Sequence, residues 1–405
     1  MSIIFWFFLA QPILGMFLVP KFIFTEKNKV IAYALLLGAF FGYLAYFIDP
    51  SPTIDLARYF EKMEMLSHFS LNRFLNYYDL SAQLDLSNWF FFGISKLNDV
   101  NLMPLIVMFF VYSSVFYMIL DNRKRNDVSN KLLFVQMFIV VSFLSFPGIA
   151  SNIRNISAFV FFMLGFYLEV YHEKNWKRVI WLYLVAILIH KTAVILILLR
   201  VLAYFINKWK SKKILITICL IFLLCSVSII VVYKIIHVLP IAIPFSSLVD
   251  KAYSYATGFG STDDYMVYIE GSLFMRLQKM FFLIVNLLFL SFFIITKQYK
   301  KISQFSNENK TNQFSIFIFL VLILTIGTIP ITLPVYWRFS LVTVIYSWSF
   351  ITKDILKRQN FLIIIMCVCI GGLLYQSLLL AQFTDITQFI FHIFTNNYFS
   401  IFFGK

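Results

Sequence analysis

Phe361–Leu380 reads FLIIIMCVCIGGLLYQSLLL, twenty residues without a single charge. At about 1.5 Å of rise per residue, such a helix spans about 30 Å, the thickness of a bilayer's hydrocarbon core. The stretch does not alternate apolar with polar residues, as a strand of a membrane barrel would. In lipid a helix satisfies its own backbone hydrogen bonds, so this stretch is expected to be helical. Similar apolar stretches recur from end to end in a chain of 405 residues that is 61% hydrophobic and 13% charged. Mean hydropathy is +0.84. Soluble domains carry about a quarter charged residues, and no single soluble core absorbs this much apolar sequence. The fold class expected is all-α: a polytopic integral membrane protein forming one transmembrane domain over 1–405.

Positive charge sets the topology. Six short loops are strongly basic: Lys21–Lys29, Arg123–Lys131, Lys174–Arg178, Lys208–Lys213, Lys297–Lys310 and Lys353–Arg358. Cytoplasmic loops carry the excess of Lys and Arg, so each interval between these loops holds an even number of crossings. About twelve helices result: 3–20, 30–48, 101–120, 132–147, 154–171, 179–190, 193–206, 214–236, 277–296, 313–330, 338–352 and 360–381. The amino terminus then lies outside. The interval 179–206 leaves only about 20 Å for each leg, which favours a short or broken hairpin turning at His190-Lys191. One long tilted helix that breaks the charge rule is the alternative. The tail 382–405 lies in the interface or forms one more span.

Two sizeable extracytoplasmic loops remain, 49–100 and 237–276. Between them they hold Asp49, Asp55, Glu61, Glu64, Asp79, Asp85, Asp99, Asp250, Asp263, Asp264 and Glu270, eleven of the 19 acidic residues. Loops of this length are uncommon without folded structure or function of their own.

The same side carries arginines where the charge gradient disfavours them. Arg154 sits in Ser151-Asn-Ile-Arg-Asn155, Arg338 in Pro334-Val-Tyr-Trp-Arg338, and Arg276 in Ser272-Leu-Phe-Met-Arg276, each opening a returning helix. A snorkelling anchor or a salt bridge to an outer carboxylate is the plainer explanation for any one of them. Anion recognition is the functional one. A guanidinium grips phosphate oxygens with paired hydrogen bonds, and a helix amino terminus adds N–H donors, as expected for Arg154 and Arg338. A diphosphate leaving group at the outer membrane surface fits that chemistry.

After Pro50 and Pro52, with Thr53 as a cap, Asp55, Arg58 and Tyr59 share a helix face at i, i+3 and i+4. That face suits a sugar, or a base beside an acceptor hydroxyl; equally, Asp55 stabilises the helix start and pairs with Arg58. His190, in Leu188-Ile-His-Lys-Thr192, can take a proton from a sugar hydroxyl at neutral pH; equally, a lone His in an apolar stretch is a satisfied core residue. His68, His172, His237 and His392 lack such a setting. Tyr59, Tyr77, Tyr78, Trp89, Tyr336 and Trp337 can stack on sugar rings or serve as interfacial belt residues.

Other classes are excluded by pattern. The formal charge of +15 is confined to loops beside apolar spans, so nucleic acid is not a partner. Cys219, Cys225, Cys367 and Cys369 fall inside apolar segments without disulfide or zinc spacing. No P-loop, Gly-rich dinucleotide turn or metal-ligand cluster occurs, so no cofactor, nucleotide or metal is expected. The first 20 residues lack a signal-peptide pattern and read as a retained span.

Asp49…Asp55-x-x-Arg58-Tyr59, Ser151-Asn-Ile-Arg-Asn-Ile-Ser-Ala158 and Leu188-Ile-His-Lys-Thr-Ala193, in this order, resemble the EpsG-like branch of Wzy-type polysaccharide polymerases over roughly 30–206. Tyr336-Trp337-Arg338 extends the likeness. Family members more often carry Arg-Gln where this chain has Arg154-Asn155. The resemblance implies a multi-pass glycosyltransferase of the bacterial cytoplasmic membrane, independent of metal and nucleotide, serving capsule or exopolysaccharide synthesis. Its substrate would be an undecaprenyl-diphosphate-linked oligosaccharide, with membrane lipid, a flippase and a chain-length regulator as partners. Arg154, Arg338 and Arg276 would grip the diphosphate, and His190 or Asp55 would be the catalytic base. Arg58, Tyr59, Asn155, Lys191 and Tyr336 would bind substrate. A lipid-linked oligosaccharide flippase and an O-antigen-ligase-like transferase are the alternatives.

Overall fold

The computed structural model describes residues 2–26, 28–52, 54–210, 212–224, 273–297, 309–328 and 333–403, and every regular element among them is helical. The loop expected over 237–276, with its four acids, lies almost wholly outside the described residues. So do Thr53, Pro330 and the side chains of Arg276 and Tyr336. The chain divides into two compact units, Met1–Ile197 with Ile363–Lys405, and Leu198–Leu362.

In the first unit, α1 (Ser2–Ala10) and α2 (Pro12–Thr25) stand where one helix was expected over 3–20. Pro12 opens α2 and cannot donate a backbone hydrogen bond, and it biases Gln11 away from helical backbone. After α3 (Val30–Tyr46), the polar stretch 49–100 folds into α4 (Asp55–Ser67), α5 (Leu71–Tyr77), α6 (Leu80–Gln83) and α7 (Leu86–Ser95). Then come α8 (Leu102–Asn126), α9 (Asn130–Phe143), α10 (Phe146–Ser151), α11 (Ile153–Tyr171), α12 (Trp176–Ile189) and α13 (Ala193–Trp209), whose later turns enter the second unit. The second unit continues with α14 (Lys212–Leu223), α15 (Leu273–Ile295), α16 (Asn309–Gly327), α17 (Leu333–Ile345) and α18 (Lys353–Leu356). The chain then re-enters the first unit through α19 (Gln359–Phe383), α20 (Ile386–Thr395) and α21 (Tyr398–Phe403).

Among the described residues, α8, α11 and α19 are long and apolar enough to cross a membrane. Helix α19 leaves Ile363 62%, Leu374 62% and Leu378 63% exposed. A row of that kind is costly in water and at home against lipid tails. Neither described helix of the tail is long enough to cross a membrane by itself: α20 has ten residues, about 15 Å, and α21 has six. Tyr43 on α3 ties the tail down, its hydroxyl donating to the carbonyls of Ile393 (2.8 Å) and Asn396 (2.6 Å).

Close backbone approach holds the first unit together. Gly38 and Gly42 lie one turn apart on α3, facing α8. A Cβ on Gly38 would stand 2.6 Å from the Phe109 carbonyl oxygen, and one on Gly42 2.8 Å from that of Leu105. Small residues at this spacing let membrane helices meet backbone to backbone. Beside them Phe41 stacks on Tyr112, ring centroids 3.7 Å apart.

Between α9 and α10 the helix breaks, and the broken backbone is satisfied from far along the chain. Gln376 of α19 donates to the carbonyls of Val141 (2.8 Å) and Ser142 (2.7 Å), and its own oxygen accepts from the Phe146 N–H (3.0 Å). An unsatisfied backbone group at membrane depth costs several kcal/mol, so this one amide is what makes the break tolerable. Gly372, one turn earlier, admits the approach: a Cβ there would stand 2.6 Å from the Ser142 carbonyl oxygen.

In the second unit, Asn286 of α15 donates to Ser340 Oγ on α17 at 2.8 Å and accepts from Thr343 at 3.3 Å. Asn312 of α16 donates to Asn207 of α13 at 2.7 Å. Polar pairs of this kind join apolar helices where burial alone gives no preference among neighbours.

Candidate functional site

Arg154 is the second residue of α11, as the sequence indicates. Its position follows from the short helix before it. Ser145 caps α10 through the Gly148 N–H (3.2 Å), and Asn152 leaves helical geometry at φ −123°, ψ 39°, so a new helix starts at Ile153. The guanidinium meets Asp85, Nη2 to Oδ2 2.5 Å, while its Nε is buried without a hydrogen-bond partner among the described residues. Asp85 is the N-cap of α7, and its other oxygen accepts from the Ser87 N–H (2.9 Å).

Around this pair the folded outer segment closes. Helix α4 packs on α7 and α10, and α7 packs on α12. Lys62 of α4 gives its amine to Asn88 Oδ1 (2.7 Å) and lies over the rings of Tyr78 and Phe91. Burial pushes the Lys62 ammonium below its ordinary pKa, and the Arg154 charge adds to this while Asp85 opposes it. Burial likewise pushes the Tyr78 phenol up.

Next to Arg154, Asn155 is 5% exposed and starts a second feature. Its Oδ1 lies 3.2 Å from Thr192 Oγ1, which lies 2.7 Å from His190 Nδ1. His190 ends α12 in extended backbone at φ −156°, and α13 begins at Ala193, so the helix breaks where the sequence puts a turn. Two patterns are open to the imidazole. With the proton on Nδ1, His190 donates to Thr192, Thr192 donates to Asn155, and Nε2 is the basic nitrogen. With the proton on Nε2, the Thr192 N–H (3.2 Å) donates to Nδ1 and the ring can only donate outward.

Lys191 is exposed, and its charge reaches Asp79, the cap of α6. The Ala82 N–H and the Ser81 hydroxyl hold the Asp79 carboxyl below its usual range, and Lys191 adds to this. Asp55 is the first residue of α4, with Ile54 at the cap position, and Arg58 pairs with it at 3.5 Å with both side chains well exposed. That is the plainer of the two arrangements the sequence allows. Tyr59 stacks on Phe91 at 5.1 Å.

The remaining arginines lie in the second unit. Arg276 is in the first turn of α15. Arg338 departs from expectation: α17 starts at Leu333 and not at 338, so Arg338 lies more than a turn inside and lacks the free amide donors of a helix start. Pro334 explains the earlier start, because proline in a first turn forfeits only an N–H that has no partner there.

Lys62, Asn88 and Thr192 escape a reading of sequence alone, although Lys62 continues the Asp55, Arg58, Tyr59 face by one turn. His172 also proves to have a setting. At the far end of α11 it lies 2.8 Å from Asp121, which accepts as well from Tyr167 (2.7 Å) and Arg125 (2.7 Å). Among the described residues no His, Cys, Asp and Glu group gathers to hold a metal ion.

No curated protein and no solved structure matches the chain. A protein-family model does, the EpsG family, over residues 54–392, which takes in α4, the Arg154 helix and the His190 break. With its apolar helices and a match over most of its length, the chain belongs to the EpsG family and is a polysaccharide polymerase-like membrane protein.

Proposed function

We propose that the protein is a membrane glycosyltransferase that polymerises undecaprenyl-diphosphate-linked oligosaccharide repeats into capsule or exopolysaccharide at the outer face of the bacterial cytoplasmic membrane. One observation carries this: a helix-start arginine and a histidine are joined through adjacent residues, Arg154 beside Asn155, Asn155 to Thr192, Thr192 to His190. Family membership supports the same reaction class.

A hydroxyl of the incoming repeat attacks the anomeric carbon of the growing chain. The bond from that carbon to the diphosphate oxygen breaks, and undecaprenyl diphosphate leaves with the electron pair. Arg154, with amide donors of the α11 start, stabilises the charge that develops. His190 takes the hydroxyl proton on Nε2 in its Nδ1–H tautomer, the one in which it donates to Thr192 and Thr192 donates to Asn155. Asp55 is the alternative base, with Arg58, Tyr59 and Lys191 contacting sugar. The sequence reading also gives Arg276 and Arg338 to the diphosphate and Tyr336 to the sugar.

Deletion in the native bacterium tests the assignment. Accumulated single lipid-linked repeats are expected. Repeats trapped on the cytoplasmic leaflet would make the protein a flippase, and full-length unattached polymer would make it a ligase.

A further inference from the structure

Arg154 and Lys62 bring two cations into one neighbourhood, together with the carboxylate of Asp85. Asp85 engages Arg154 through Nη2 alone, while the Nε of the same guanidinium is buried and unpartnered among the described residues. Guanidinium binds a matched anion through two parallel N–H groups, so this contact uses half of what Arg154 can offer. Lys62 gives one N–H to Asn88 and forms no ion pair among the described residues. Its ammonium stands on the faces of Tyr78 and Phe91 and feels the charges of both Arg154 and Asp85.

Asp85 divides its two oxygens. Oδ1 caps α7, accepting from the Ser87 N–H and hydroxyl, and Oδ2 meets Arg154. Asp85 can therefore release the arginine without uncapping the helix.

We infer that Asp85 is a resident counter-ion occupying the place of a diphosphate on Arg154, and that Lys62 is the second cation that receives the diphosphate when Asp85 withdraws. The inference rests on Arg154 being the diphosphate grip. Charge arithmetic gives it selectivity. Lys62, Arg154 and Asp85 together carry one net positive charge. When Asp85 Oδ2 turns away from Arg154, two cations are open to pair with the two negative charges of a lipid-linked diphosphate diester. A singly charged phospholipid headgroup would replace one carboxylate by one phosphate and gain nothing. The resident carboxylate thus excludes the abundant anionic lipids around the protein and yields to a diphosphate.

The test uses the full-length protein in neutral-lipid nanodiscs, with binding measured for undecaprenyl diphosphate, undecaprenyl phosphate, inorganic pyrophosphate and phosphatidylglycerol. Asn caps helices as well as Asp does, so Asp85→Asn removes the charge and keeps the cap. It should bind undecaprenyl diphosphate about tenfold tighter and lose much of its preference over phosphatidylglycerol. Lys62→Met should bind undecaprenyl diphosphate about tenfold more weakly. The same order with inorganic pyrophosphate supports a site for the head group itself, and pyrophosphate indifferent to both changes overturns it. Melting temperatures of the same preparations, with Asp85→Glu as a second variant, separate binding from folding. If Arg154→Gln abolishes binding while Asp85→Asn binds no tighter or Lys62→Met binds normally, the counter-ion assignment is wrong and the grip stands. If Arg154→Gln binds undecaprenyl diphosphate like the unaltered protein, the grip itself fails and the counter-ion assignment goes with it.

Discussion

The two ends of α11 carry the same kinds of side chain and put them to different use. At its start Arg154 meets Asp85, with Lys62 nearby and His190 reached through Asn155 and Thr192. Beyond its end, about 27 Å away at about 1.5 Å per residue, Asp121 lies among Arg125, His172 and Tyr167. Asp121 accepts from three donors and is 8% exposed. Arg125 spends all three of its nitrogens inside the cluster, on Asp121, the Tyr171 carbonyl and His172, and the cluster ties α8 to α11. At the other end the carboxylate serves one nitrogen of its arginine, and a second cation waits with an amide as partner. Saturation, more than residue type, separates a structural charge cluster from one prepared for a substrate.

Arg154→Ala should break this contrast most severely. Polymerisation in cells is expected to fall by about a thousandfold, with single repeats accumulating and the protein present at normal levels. Asp121→Ala should do the reverse. Leaving Arg125 and His172 without their carboxylate is expected to cost about 3 kcal/mol of stability, read as a lower melting temperature, while polymer formed per folded molecule stays unchanged.

Gly38→Ala tests packing away from both ends. The added methyl would press on the Phe109 carbonyl, and a loss of about 2 kcal/mol in thermal stability is expected. Thr192→Val keeps shape and removes the hydroxyl between His190 and Asn155. A drop of about tenfold in turnover with little change in KM, and an altered acid limb of the pH–rate profile, would support the relay. A normal profile would remove Thr192 from it.

The smallest effect belongs to Asp79. Its carboxyl is held below the usual range by the Ala82 N–H and Ser81, so it adds stability above that range and loses it as pH falls through the folded value. Asp79→Asn keeps the cap without the charge and should flatten the acid side of the stability–pH curve, with slightly lower stability at neutral pH and none lost at low pH.

Several of these features are legible without coordinates because they are local. A polar interruption in apolar sequence marks the start at Arg154 and the break at His190, since neither suits lipid. The misread positions involve prolines. Pro12 splits the first helix, and Pro334 lets α17 begin before Arg338. Both effects follow from the missing N–H, which hydropathy ignores. What sequence could not disclose is partnership over distance. Asp85 finds Arg154 across 69 positions, and His172 finds Asp121 across 51. No spacing rule links them, because the folded outer helices and the contact of α8 with α11 create the proximity.

Gln376 gives the molecule an order of assembly. The amide that satisfies the break before α10 lies 230 residues downstream of Phe146. A chain inserted from its amino terminus therefore holds the carbonyls of Val141 and Ser142 without this partner until α19 has been made. The helix bearing Arg154 gains a fixed base only then. A nascent or truncated protein would carry every residue of the outer cluster and still lack the clamp that sets its geometry, so α19 works as a completion signal for the site.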